Sequence, residues 1–180
     1  EDLADRMQVL RDHGREPGDL SFLHKEIAYK YKMTAQTAAL GDAQLSRIDD
    51  LVGLKRRIFA WYAERLADVD GVTLNAEPDG VRNAMWMSTV VLDPSYGIDK
   101  VELAARLDAA GIGTRPFFYP LSSLPAFRDH PAAGKAPAHR PVSDHLGRWG
   151  INLPSALCLE ESHVDYVCDV LLGILATAER

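Results

Sequence analysis

An α/β chain is predicted, with a long bridging helix followed by a small α+β domain, and three patterns predict it. Apolar residues recur every three to four positions from Thr34 to about Ala67. A strand–helix–strand succession runs from Met85 to Phe118, and an amphipathic helical pattern closes the chain over residues 160–178.

The elements follow in order. Leu3, Met7 and Leu10 fall on one helical face, and Gly14 follows as a stop. No capping residue precedes Glu1, so upstream sequence is expected. Residues 15–33 are polar and mixed, with Pro17 and Gly18 marking a loop. Thr34, with Met33 before it, fits the start of a helix. The helical pattern that follows carries Ala35, Ala38, Leu45, Ile48, Leu51, Ile58, Tyr62 and Leu66. At about 1.5 Å per residue it would be roughly 50 Å long. A helix of that length bridges two domains or packs on a second subunit. The expected division is therefore residues 1–67 with the helix, and a small domain over residues 68–180.

Residues 68–84 read as a polar connection, and Met85 to Asp93 as a strand. Asp99 caps a helix bearing Val101, Leu103, Ala104, Leu107 and Ala110, which Gly111 ends. Ile112 to Phe118 is the next strand. Residues 119–141 form a long loop rich in Pro, Ala, Ser and His, and loops of this length often carry function. A short helix over Val142 to Trp149 and an extended piece, Ile151 to Pro154, precede the last helix.

Composition limits the function. The 180 residues are 47% hydrophobic and 26% charged, as in a folded globular chain, and the formal charge of -6 lacks the basic footprint of a nucleic-acid or anionic-membrane binder. No run approaches the roughly 20 apolar residues of a membrane span, and no secretory signal is present, which together point to the cytoplasm. Two cysteines form no metal or redox spacing, and no two of the six histidines stand at i, i+4, so no metal site is expected.

Few motifs carry chemistry. Gly111-Ile112-Gly113 follows a helix and opens a strand, the reverse of a dinucleotide loop. No GxSxG is present. Lys30 and Lys32 interleave with Tyr29 and Tyr31 just before a helix start, where an anion is favoured. The plainer reading of that stretch is a solvated basic loop. Arg115, Tyr119 and Ser122 stand where a strand meets the long loop, and an arginine there suits a carboxylate or phosphate. Taken alone, Arg115 reads first as a surface residue.

The order of motifs adds to this. Leu10-Arg-Asp-His-Gly-Arg15 is followed by Tyr29-Lys-Tyr-Lys-Met-Thr-Ala-Gln-Thr-Ala-Ala-Leu-Gly-Asp-Ala-Gln-Leu45. Gly111-Ile-Gly-Thr-Arg-Pro-Phe-Phe-Tyr-Pro-Leu121 and Leu153-Pro-Ser155 with Leu159 come after. This succession resembles the C-terminal half of the DegT/DnrJ/EryC1/StrS aminotransferases, in the style of perosamine synthetases. The resemblance implies an aspartate-aminotransferase-type fold, pyridoxal 5'-phosphate (PLP) as cofactor, and a homodimer. It implies transfer of an amino group from glutamate to a nucleotide-linked keto-sugar. Tyr29, Lys30 and Lys32 would meet the PLP phosphate of the neighbouring subunit, and Arg115, Tyr119 and Ser122 would line the sugar-nucleotide side. Ala28 stands for the usual glycine, Lys30 for the usual asparagine, and Ser122 for a histidine frequent in the substrate loop. The Schiff-base lysine of the family would precede Glu1, so no catalytic residue is assigned here and the chain alone is expected to be inactive. A PLP-dependent sugar dehydratase, with histidine at that upstream position, and a non-catalytic dimerisation module stay open.

Overall fold

The computed structural model describes residues 2–127 and 141–178. Its elements are α1 (Asp2–Arg11), α2 (Ala35–Leu45), α3 (Ile48–Leu66), β1 (Val72–Leu74), β2 (Ser88–Leu92), α4 (Lys100–Ala109), β3 (Arg115–Pro116), α5 (Pro141–Trp149), β4 (Gly150–Leu153) and α6 (Glu161–Ala176). Short 3-10 turns occur at Pro94–Tyr96, Leu121–Ser123 and Pro125–Phe127. The chain divides into two compact units, Glu1–Ile48 and Asp49–Arg180.

The single helix expected over residues 34–67 is two helices, α2 and α3. Thr34 caps α2, accepting the Thr37 amide at 3.2 Å. Ser46 ends it: its hydroxyl turns back onto the Ala43 carbonyl at 3.0 Å, while its amide donates to Asp42 and Gln44. A serine that bonds the preceding turn offers the backbone an alternative to continuing the helix. Asp49 and Asp50 then supply the acidic first turn that suits a new N-terminus. The apolar period survives the break, which is why the sequence reads as one element.

In the second unit, four strands form an antiparallel sheet in the order β1-β2-β4-β3. The register sets Val90 opposite Ile151 and Ser88 opposite Leu153. Alternation along each strand sends Val90, Leu92, Ile151 and Leu153 into one apolar cluster. Ile58, Tyr62 and Leu66 from α3, Leu103 and Leu107 from α4, and Val164, Val167, Leu171 and Leu175 from α6 complete it. The i, i+4 spacing in α3 and α6 produces those stripes. Burying one such side chain is worth about 1.5–3 kcal/mol, so this cluster is the folding core. Tyr62 is wholly buried and satisfies its hydroxyl on the Pro154 carbonyl at 3.0 Å; burial pushes its phenol well above the usual range.

Two strand expectations also change. The segment 68–84, read as polar connection, contains β1, whose half-buried Val72 and Leu74 pair with Leu92 and Val90. The strand expected over 112–118 shortens to Arg115–Pro116; the Phe117 amide still donates to the Gly150 carbonyl at 3.1 Å, but the Phe117 carbonyl accepts from Lys100 at 2.8 Å. Residues 128–140, most of the expected long loop with His130 and His139, lie outside the described residues.

Candidate functional site

In the first unit, residues 29–32 lie antiparallel to residues 10–13. Tyr29 donates to the Leu10 carbonyl at 3.2 Å, and His13 donates to the Tyr29 carbonyl at 3.1 Å. The Tyr31 and Lys32 amides both reach the Arg11 carbonyl, at 2.8 and 3.2 Å. Asp12 and Lys30 stand directly opposite as an isolated bridge. The chain bends at Lys32, and Lys30 and Lys32 both reach toward Asp12. The Tyr29 and Tyr31 rings pair at 5.5 Å between centroids.

The two lysines converge on Asp12. Lys30 Nζ donates to Oδ1 at 3.3 Å and Lys32 Nζ to Oδ2 at 3.4 Å. Arg15 Nη2 reaches Oδ2 at 2.9 Å, and its guanidinium stacks over the Phe22 ring at 4.9 Å. Arg15 Nε is buried with no hydrogen-bond partner among the described residues. Three cations on one carboxylate leave positive charge in excess. Partial burial alone would raise the Asp12 pKa. The Lys30 hydrogen bond, the Arg15 charge and the Lys32 bond and charge outweigh that and bring it down to about 2. A groove beside the cluster is lined by Gln8, Arg11, Asp12, Arg15, Glu16, Pro17, Gly18, Asp19 and Lys32, so it carries carboxylates as well as cations. Asp12 and Arg15 had drawn no notice as chemistry; their signal in the sequence was only their place in Leu10-Arg-Asp-His-Gly-Arg15.

The second unit holds the other three residues. Arg115 lies on β3, exposed, with no side-chain partner among the described residues. Tyr119 is exposed and lines an apolar groove with Phe117, Phe118, Leu121 and Leu124. Ser122 is half-buried in the 3-10 turn Leu121–Ser123. Arg115 and Ser122 do not line that groove. Lys100 does bear on it: buried at the start of α4, it donates to the Phe117 carbonyl at 2.8 Å and sits 3.6 Å from the centre of the Tyr119 ring. Burial lowers the Lys100 pKa, and the neighbouring Asp99 charge offsets part of that. Lysine directly after a helix cap ordinarily points to water, so its sequence position carried no signal. Among the described residues no group of histidine, cysteine or carboxylate side chains could hold a metal.

Such a mixed sheet-and-helix unit, preceded by a segment that gathers cations, belongs to the aspartate-aminotransferase-type fold. The structure is similar to DesI solved with its TDP-sugar product: TM-score 0.76, 26% identity, 98% of this chain and 43% of that one. It also shares the fold of the sugar aminotransferase Spr1654 of Streptococcus pneumoniae in its PLP form (TM-score 0.80, 22% identity, 97% of this chain and 44% of that one). In sequence it is 32% identical over 169 residues to the GDP-perosamine synthase of Vibrio cholerae, across 94% of this chain and 44% of that protein. The DegT/DnrJ/EryC1/StrS aminotransferase family matches residues 1–172, and the chain belongs to that family. It spans less than half the length of the relatives it matches.

Proposed function

We propose that this chain is the C-terminal half of a PLP-dependent aminotransferase that moves an amino group from glutamate to a nucleotide-linked keto-sugar. The observation that carries the reading is the convergence of Lys30, Lys32 and Arg15 on Asp12 in a member of this family. A phosphate ester carries close to two negative charges at neutral pH, and this cluster offers an excess of exposed cations, so the residues fit the cofactor's phosphate end. PLP, when bound, acts as electron sink for the carbon that exchanges its amine.

The chain's own residues bind and orient. Lys30 and Lys32 neutralise the phosphate of the neighbouring subunit's cofactor, and Tyr29 borders them. On the second unit, Arg115 offers a planar pair of donors for a diphosphate. Tyr119 offers a ring face for a base or sugar, and Ser122 a hydroxyl for hydrogen bonding. Residues 1–67 complete the cofactor-binding large domain, and residues 68–180 form the small domain. Exposed Leu40 and Leu45 on α2 give that helix a surface for a second subunit of a cytoplasmic homodimer.

The experiment is a mixed dimer of the full-length protein. Lys30→Ala with Lys32→Ala should weaken PLP retention about tenfold to a hundredfold, as expected for losing charged hydrogen bonds of about 1.5–3 kcal/mol. Pairing that subunit with one that lacks the cofactor lysine but keeps the loop should restore one site. Equal impairment of hybrid and mutant homodimer would show that the lysines act within their own subunit or not on the phosphate.

A further inference from the structure

We propose that Asp12 is the positioning residue of this phosphate centre, anchored by Arg15 and holding the Lys30 and Lys32 ammonium groups side by side for a phosphate monoester dianion. The inference rests on the phosphate reading of the two lysines. Its basis is a graded set of bonds. Arg15 Nη2 to Asp12 is 2.9 Å, within the ordinary range for a charge-assisted hydrogen bond. The two lysine bonds, at 3.3 and 3.4 Å, lie beyond that range. Oδ2 thus accepts a short bond from Arg15 and a longer one from Lys32, while Oδ1 accepts only the longer bond from Lys30.

Burial runs in the same sense. The Asp12 side chain is 17% exposed, against 43% for Lys30 and 54% for Lys32. An incoming anion meets the ammonium groups before the carboxylate. Each lysine takes a different oxygen of Asp12, so one carboxylate holds two cations that would otherwise repel. The bridge between Asp12 and Lys30 makes the arrangement a property of the backbone as well. A dianion then draws the lysines off long bonds at small cost, while Asp12 stays held by Arg15.

Simple charge counting and positioning make opposite predictions for Asp12→Asn. Removing a negative charge beside a phosphate should tighten PLP if Asp12 is only a competitor. Loss of the clamp should weaken it, by about tenfold if the effect matches removal of an outer partner from a binding group. The full-length protein is measured for retention of PLP and of pyridoxal, which has no phosphate, together with its thermal midpoint. Weaker PLP with unchanged pyridoxal, and partial rescue by Asp12→Glu, is the expected result. Unchanged or tighter PLP overturns the inference, and equal loss of PLP and pyridoxal does so too, by reducing Asp12 to fold support. Lys30→Ala with Lys32→Ala runs in parallel. If that variant retains PLP normally, the phosphate reading of the lysines fails and the role of Asp12 with it. If it weakens PLP while Asp12→Asn does not, only the role of Asp12 fails.

Discussion

Residues 2–48 and 49–178 are built on different physics. Among the described residues of the first unit only Gly14 is buried, and Leu20, Phe22, Leu23, Ile27, Tyr31 and Met33 are exposed. Its order comes from the backbone stitch between residues 10–13 and 29–32 and from pairs such as Arg6 with Glu26 and Lys25 with Glu16. Exposed pairs of that kind contribute about 0–1 kcal/mol each. The second unit buries an apolar cluster drawn from three helices and the sheet. Within residues 1–180, the second unit carries an apolar core, whereas the first is held by backbone bonds and ion pairs.

Truncations inside the two units should separate them most. Leu103→Ala and Leu171→Ala remove side chains with no exposure and should each cost about 2–5 kcal/mol in urea unfolding. In the 180-residue chain by itself, Leu20→Ala and Ile27→Ala, both at exposed positions, should change stability by less than about 0.5 kcal/mol. Equal costs would erase the distinction. Glycines sharpen it further. Gly71 and Gly18 both have positive φ, +78° and +85°. A Cβ at Gly71 would stand 2.9 Å from the Tyr96 ring and 3.0 Å from Asp93, whereas at Gly18 nothing lies within 4 Å. Gly18→Ala should show only the backbone penalty of about 1–2 kcal/mol. Gly71→Ala should add about 1–3 kcal/mol of crowding, read as a lower thermal midpoint.

Thiol chemistry gives a third comparison. Cys158 is exposed, whereas burial pushes the Cys168 thiol up to about 11. One thiol should react with a disulfide reagent at pH 8 in the native protein, and the second only once the core opens. Two fast thiols would show that the core is loose. The smallest effect concerns acid. Asp12 titrates in the folded chain at about 2, below its usual value of about 4. Its contribution to the stitch is therefore complete above about pH 4 and is lost as pH falls toward 2. An NMR titration of its carboxyl carbon should show a midpoint near the lower value; a midpoint near 4 would mean the lysines do not engage it.

The sequence was legible where one pattern had one cause. The last helix, expected at 160–178, is Glu161–Ala176, and the helix after Asp99 is Lys100–Ala109, because cap, period and stop coincide there. The break at Ser46 was hidden because an apolar period continues through a bend that costs it nothing. β1 was hidden because its alternation, half-buried Val72 and Leu74 about exposed Thr73, spans only three residues within a polar stretch. At the candidate site, Lys30 and Lys32 were legible as alternating cations before a cap. Asp12 was not, because its pairing with residues 18 and 20 positions away depends on a turn whose path the intervening polar residues do not specify. Lys100 was missed for a related reason, since its burial depends on Phe117 and Tyr119 folding back over it.

The sheet order β1-β2-β4-β3 leaves two open edges. An open edge is a template on which another strand can add, and long apolar ones invite aggregation. Here β1 is three residues long and β3 two. Pro116 removes a donor from the β3 edge, and Arg115 sets a charge beside it. A row that short and interrupted cannot register a foreign strand over more than one or two bonds. Expressed alone at high concentration, residues 49–180 should therefore stay monodisperse and resist fibril formation, although their central strands are among the most apolar stretches of the chain.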